Sequence, residues 1–278
     1  MSSLWRLMAC VISLVLPVLP ALASGYERVA IPMDGGHLDG VMFRPRGAGP
    51  FPAVVALHGC GGLWREPGKL SVRHSDWGER LAAAGFLVLM PDSYGSRGLG
   101  SQCGVKDMTV RAGRERTADV AAARGFLQHR ADINPAAISL IGWSGGGSTV
   151  LNTVRKDKAP QDGQPDFRRA IGFYPGCRAQ SETPSFSVRL PLLILMGADD
   201  DWTPVAPCNY LTRAAQMRGE PVDLVVYPGA VHDFDHPRLE LKERDNVAYS
   251  TTGKATVGTN PAARADALKR VESFLKAP

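Results

Sequence analysis

Ile138-Ser139-Leu140-Ile141-Gly142-Trp143-Ser144-Gly145-Gly146-Gly147 joins a short apolar run to a glycine-rich turn, and a helical pattern follows through Arg155. Strand, sharp turn and helix are the setting in which G-x-S-x-G carries a nucleophilic serine. The reason is steric. A serine in a strained turn presents its hydroxyl beyond the strand end, and glycines two before and two after it let neighbouring backbone approach. The helix N-terminus just beyond favours developing negative charge. Ser144 is therefore the candidate nucleophile, and the competing reading is a glycine-rich turn whose serine only caps the helix.

Outward from this stretch, short apolar runs alternate with helical spacing. Upstream, Arg28–Met33 and Leu38–Arg44 read as a hairpin around Asp34-Gly35-Gly36. Residues 53–57 (Ala-Val-Val-Ala-Leu) and 86–90 (Phe-Leu-Val-Leu-Met) read as buried strands, separated by a helix over Ser75–Ala84. A long helix is expected over Gly113–His129. Downstream, Arg169–Tyr174, Pro191–Met196 and Asp223–Tyr227 read as strands, with helices over Ala206–Met217 and Ala262–Leu275. Continuous apolar strands alternating with helices imply an α/β fold, a mostly parallel central sheet with helices on both faces. The polar stretch Pro237–Pro261 lacks periodicity and is a candidate border or lid of the site.

Composition excludes several other classes. Hydrophobic residues make up 44% and charged residues 21%, as in a globular rather than a disordered chain. The net charge of +5 is spread along the sequence and gives no basic patch for nucleic acid. Residues 1–23 have the pattern of a cleaved signal peptide: Arg6 in the n-region, an apolar run from Leu7 to Leu19, and Ala21-Leu22-Ala23 as the cleavage site. The apolar run is too short, and too interrupted by Pro17 and Pro20, for a spanning anchor, so no stable membrane insertion is expected after cleavage. The remaining residues, 24–278, read as one catalytic unit of net charge +4, because only Arg6 is lost. The expected location is periplasmic or secreted.

Removing Cys10 leaves Cys60, Cys103, Cys177 and Cys208, an even set expected to pair in an oxidising compartment. Three connectivities exist. Chain order and the fold favour Cys60–Cys103 with Cys177–Cys208, against the alternative of four free thiols.

A serine needs a base to take its proton. Only His232 and His236 lie downstream of Ser144, both after the strand Asp223–Tyr227, and His232 is nearer the strand end. The orienting acid should follow the preceding strand, where Asp199, Asp200 and Asp201 stand in a row and chemistry alone does not choose among them. The order Ser…Asp…His matches one known triad arrangement. Two backbone N–H groups should form the oxyanion hole: Gly145, directly after the nucleophile, and Cys60 in the loop His58-Gly59-Cys60-Gly61-Gly62. His58 more readily orders that loop than serves as the base. His232 and His236 in His232/Asp235/His236 have the i,i+4 spacing of a metal set, but Pro237 and the loop context oppose the single helical face that such a set needs.

With these residues placed, the chain from about Tyr26 to Leu275 resembles the dienelactone hydrolase family of α/β-hydrolases. The resemblance is carried by Leu57–Gly62, Met90-Pro91-Asp92-Ser93-Tyr94, Gly142–Gly147, Gly197–Pro204 and Tyr227-Pro228-Gly229-Ala230-Val231-His232-Asp233-Phe234. It implies Asp200 as the acid, three residues after Gly197 and four before Pro204, and His232 as the base in Pro-Gly-x-x-His. The dienelactone-cleaving members use a cysteine nucleophile and a glutamate in the oxyanion loop. This chain has Ser144 and no acid between Leu57 and Leu63, which points to a general serine esterase, and its leader and four cysteines look like the exported branch of the family. His58, Tyr94, Arg97, Trp143 and Trp202 are candidate substrate contacts, with Arg97 a candidate partner for a substrate carboxylate.

The resulting expectation is hydrolysis of a small-molecule carboxylic ester or lactone through an acyl-enzyme, with no metal or organic cofactor. Two other readings compete. One is an oligopeptidase-like serine peptidase, for which the sequence offers no added domain to select peptides. The other is a secreted non-catalytic binding protein on the same fold, which the chemically intact triad opposes.

Overall fold

A computed structural model describes residues 25–278, so the leader expected over 1–23 lies outside the described residues. The chain opens with the hairpin β1 (Glu27–Met33) and β2 (Gly36–Phe43), followed by β3 (Phe51–Leu57). A small antiparallel pair, β4 (Trp64–Glu66) and β5 (Lys69–Leu70), precedes α1 (Val72–Ala83) and β6 (Leu87–Pro91). Next come α2 (Glu115–Gln128), β7 (Ile133–Trp143), α3 (Gly145–Thr153), β8 (Ala170–Phe173), the short α4 (Arg178–Ser181) and β9 (Leu192–Gly197). The chain closes with α5 (Val205–Met217), β10 (Val222–Tyr227), β11 (Lys242–Arg244), β12 (Ala255–Val257) and α6 (Pro261–Lys276).

Eight strands form one sheet in the order β1-β2-β6-β3-β7-β8-β9-β10. The hairpin and its join to β6 are antiparallel, and every pairing from β6 to β10 is parallel. All residues of β6, β8 and β9 are buried. Because alternate side chains point to opposite faces, both faces of the sheet are covered there, as a central parallel sheet requires. The outer strand β10 is only half-buried along its middle. Helix α6 turns Ala263, Ala267, Val271 and Leu275 inward, and Asn260 caps its first turn through the Ala263 N–H.

Two elements differ from the sequence pattern. Strand β7 begins at Ile133, five residues before the apolar run. Ile133 pairs with Phe51 and Ile138 with Ala53, so residues 134–137 form an irregularity that accommodates Pro135, which has no N–H to give the ladder. The stretch Pro237–Pro261 contains the antiparallel pair β11/β12, with Lys242 opposite Val257. Three-residue strands are too short to show periodicity.

The C-terminal ends of β3, β7, β8, β9 and β10 lead into the loops that carry the candidate site, the crevice side of an open α/β sheet.

Candidate active site

The turn after β7 explains its own sequence. Ser144 sits at φ 52° and ψ −115°, left-handed backbone that costs a non-glycine residue roughly 1–3 kcal/mol. A Cβ on Gly142 would come within 2.4 Å of Gly146 backbone, and one on Gly146 within 2.2 Å of the Leu57 carbonyl. Both glycines are therefore sterically required, because the strand end, the helix start and β3 cross there at van der Waals contact. The Ser144 N–H donates to the Phe173 carbonyl at 2.9 Å, which ties the strained residue to β8.

His232 arrives from the loop after β10. Its Nε2 lies 3.0 Å from Ser144 Oγ, and its Nδ1 lies 2.8 Å from Asp200 Oδ2. Of the three aspartates, Asp200 is the buried one. Asp201 instead accepts from the Thr256 N–H and hydroxyl, both at 2.8 Å, and Asp199 is exposed. The Asp200 carboxylate is held by the N–H groups of Trp202 (3.0 Å) and Thr203 (2.8 Å) and by the Thr203 hydroxyl (3.0 Å). The imidazole lies between the rings of Tyr174 and Trp202, at centroid distances of 4.4 and 4.8 Å. Burial alone would push the His232 pKa down, but the facing Asp200 carboxylate outweighs it, and the net direction is upward.

The loop after β3 faces the same point. The Cys60 N–H finds no acceptor among the described residues, and Gly145, as the first residue of α3, has no intrahelical acceptor for its own. The Cys60 nitrogen is 3.7 Å from where a Gly145 Cβ would stand, so the two donors are neighbours. Cys60 is bonded to Cys103, and Cys177 to Cys208.

Residues 38–278 match the family model for the dienelactone hydrolase family. The chain belongs to that family. A Methylorubrum extorquens protein named "Putative carboxymethylenebutenolidase" is 25% identical over 74% of this chain and 71% of its own length. Thermogutta terrifontis esterase 2 in a butyrate-bound structure superposes with TM-score 0.64 at 19% identity, covering 90% of this chain and 93% of that one. A dienelactone hydrolase-like promiscuous phosphotriesterase from metagenomic libraries gives TM-score 0.69 at 17% identity, covering 90% and 96%. Family membership supports an ester or lactone hydrolase, and the structural neighbours share the α/β-hydrolase fold.

In this dienelactone hydrolase family member, Ser144, His232, Cys60 and Trp202 open onto a cavity of about 620 Å³, large enough for a small ligand. Arg238, Leu239, Lys242, Arg244 and Val257 also line it, so the aperiodic stretch 237–261 does border the site. The lining holds the cations Arg65, Arg73, Arg238, Lys242 and Arg244 and one carboxylate, Asp233.

Four of the five candidate substrate contacts take other positions, and only Trp202 is in the lining. His58 is fully buried. Its Nδ1 lies 2.8 Å from the Gly59 carbonyl, and its Nε2 accepts the Ser93 N–H at 3.1 Å, which orders the oxyanion loop. Burial, reinforced by Arg116, drives the His58 pKa well below the usual histidine value. Tyr94 is buried against the His58 ring. Arg97 is not a free cation: its Nη1 and Nη2 bind both oxygens of Asp119, at 3.0 and 2.7 Å, and Nη1 also reaches the Ser93 carbonyl. Trp143 is fully buried, with its indole N–H on Asp235.

Several residues that shape the site were not singled out by the sequence. Arg116, buried in α2, donates to the His58 carbonyl at 2.7 Å and so braces the Cys60 loop from behind. Arg73 pairs with Asp233, the residue after His232, at 2.5 Å. Burial would raise the Asp233 pKa, but Arg73 and His232 hold it below the ordinary range. Thr203 had a readable signal, since an Asp-x-x-Thr turn lets the hydroxyl fold back onto the carboxylate. Arg73 and Arg116 come from distant elements and carry no local pattern. Among the described residues no cluster of His, Cys, Asp or Glu is arranged to hold a metal.

Proposed function

We propose that this chain is an exported serine esterase that cleaves small carboxylic esters or lactones through an acyl-enzyme. The observation that carries the reading is the continuous chain Ser144 Oγ–His232 Nε2 (3.0 Å) and His232 Nδ1–Asp200 Oδ2 (2.8 Å) at the wall of a cavity beside two available N–H donors.

In this mechanism Ser144 Oγ attacks the ester carbonyl while His232 Nε2 takes the hydroxyl proton. Asp200 holds Nδ1 protonated and stabilises the imidazolium. The N–H groups of Cys60 and Gly145 bind the oxyanion as charge develops on it. His232 then gives its proton to the leaving alcohol and afterwards activates water to release the acid. The basic lining favours an ester that carries a negative charge away from the scissile bond. Export is supported by the leader pattern and by two disulfides, which persist in oxidising compartments. No helix among the described residues is long and apolar enough to cross a membrane.

The test is a panel of nitrophenyl esters of increasing acyl length, with dienelactone included, run on the wild type and Ser144→Ala. The wild type should turn over a short ester and be labelled by a fluorophosphonate. Ser144→Ala should do neither while keeping its circular dichroism spectrum. Turnover by pure Ser144→Ala at the wild-type rate would overturn the assignment.

A further inference from the structure

Asp235 is fully buried, three residues past His232, and takes no part in the mechanism above. Its Oδ2 accepts two indole N–H bonds, from Trp77 at 2.7 Å and Trp143 at 2.8 Å. Its Oδ1 accepts the Tyr174 hydroxyl and faces Arg73 Nε at 3.5 Å. These four donors come from three places: α1 supplies Trp77 and Arg73, the end of β7 supplies Trp143, and the residue after β8 supplies Tyr174.

Two of the donors touch the reacting groups. Trp143 is the residue before Ser144 and stacks on Phe173, with centroids 5.7 Å apart and planes 18° apart. Tyr174 packs its ring against His232, and its carbonyl accepts the Thr203 hydroxyl that also bonds Asp200. One side chain thus joins the backbone of the nucleophile to the face of the base. An indole has a single N–H, so with both indoles on one oxygen neither ring can turn without leaving a buried donor unpaired. An apolar residue would fill the space but would fix no orientation.

We infer that Asp235 is a positioning residue that sets Ser144 and His232 at their working separation. The inference rests on the serine-esterase reading, and the test separates the two. Asp235→Ala should lower kcat for a short nitrophenyl ester by about a hundredfold, the scale of an ångström-sized misplacement. KM should change by no more than about twofold, as expected when only the transition state loses stabilisation. The rate of fluorophosphonate labelling should fall with kcat. Asp235→Asn should recover part of the loss, because its carbonyl can still accept both indoles. Val271→Ala in the core of α6 serves as the control for lost stability alone and should leave kcat near wild type.

Should Asp235→Ala not fold, Trp143→Phe removes one donor and keeps a ring in the cluster. It should show the same split, kcat down by at least about tenfold with KM held. Wild-type kcat in a folded Asp235→Ala or Trp143→Phe, or an equal loss in Val271→Ala, would overturn the positioning role. A wild type that neither turns over ester nor takes the probe would overturn the esterase reading instead.

Discussion

The turn around Ser144 and the segment from Pro237 to Val257 face each other across one cavity, yet they are built on opposite terms. The turn is almost wholly buried, and its geometry is forced: Gly142 and Gly146 stand where a Cβ would strike backbone at 2.4 and 2.2 Å. The later segment is polar and largely exposed, and two three-residue strands give it its regular structure. A few anchors hold it. Ala248 donates to the Cys103 carbonyl at 2.7 Å, the Trp202 indole donates to the Ala248 carbonyl at 3.1 Å, and Asp201 holds Thr256. Reaction chemistry belongs to the side with no freedom to vary, and selection among substrates to the side that has it. Substitutions on the first side should therefore act on kcat, and those on the second on KM.

After removal of the Ser144 nucleophile itself, the largest effect should come from Asp200→Asn. Loss of the acid leaves the imidazole without its tautomer partner and should cost about 10⁴ in kcat. The pH profile sharpens the test. In the wild type the facing carboxylate raises the His232 pKa against the pull of burial, so the acid limb of kcat/KM should lie above the ordinary histidine value of 6.5. With the carboxylate gone, burial dominates, the neutral form persists to lower pH, and the limb should move acidward. A limb that stays in place would mean that another group sets the pH dependence. Asp199→Asn and Asp201→Asn should not reproduce the rate loss.

These expectations show which parts of the molecule the sequence made legible. Ser144, its flanking glycines and its strand could be read because steric necessity left residues of fixed type at fixed spacing. His232 followed from being one of two histidines downstream. Asp200 could not be separated from its neighbours by chemistry alone, because what distinguishes it is burial beneath Trp202 and Thr203, a tertiary property. Tyr94, Arg97 and Trp143 looked like substrate contacts because polar or aromatic residues near a nucleophile do. Their partners, Asp119 for Arg97 and Asp235 for Trp143, lie 22 and 92 residues away. Ile133 carries no strand signal in the sequence, because Pro135 interrupts the pattern between it and Ile138.

The two disulfides divide along the same line and give an intermediate effect. Cys60–Cys103 lines the cavity and joins the oxyanion loop to the loop on which Ala248 is anchored. Cys177–Cys208 sits at the start of α4 and within α5, outside the lining. The sequence separations of 43 and 31 residues give each a similar stabilisation, about 4 kcal/mol in the chain-entropy view. Replacing either pair by alanines should therefore lower Tm by comparable amounts. Only the Cys60/Cys103 pair should also lower kcat, on the order of tenfold, below the roughly hundredfold for an oxyanion donor removed outright. The Cys60 N–H survives that substitution, so the loss would report its placement. Equal kcat in the two alanine pairs, measured well below both melting temperatures, would show that the oxyanion loop holds its shape without the bond.

The smallest effect should come from the exposed side. Lys242 and Arg244 lie on β11 at the cavity wall, and the Arg244 guanidinium stands 5.8 Å from the Trp202 ring centroid. Lys242 is exposed and Arg244 half-buried, so both act through a partly screened field, each worth about 1 kcal/mol or less to a bound anion. Lys242→Gln combined with Arg244→Gln should raise KM severalfold for an ester bearing a carboxylate and leave KM for its neutral counterpart unchanged. Neither substrate should show a change in kcat, because neither side chain reaches Ser144 or His232. Raising the salt concentration should shrink the difference in the wild type and have little effect on the double variant, because screening removes only what the charges supplied. A fall in kcat with KM constant would break the division between the two sides, because the exposed strand would then be shaping the transition state rather than selecting what enters.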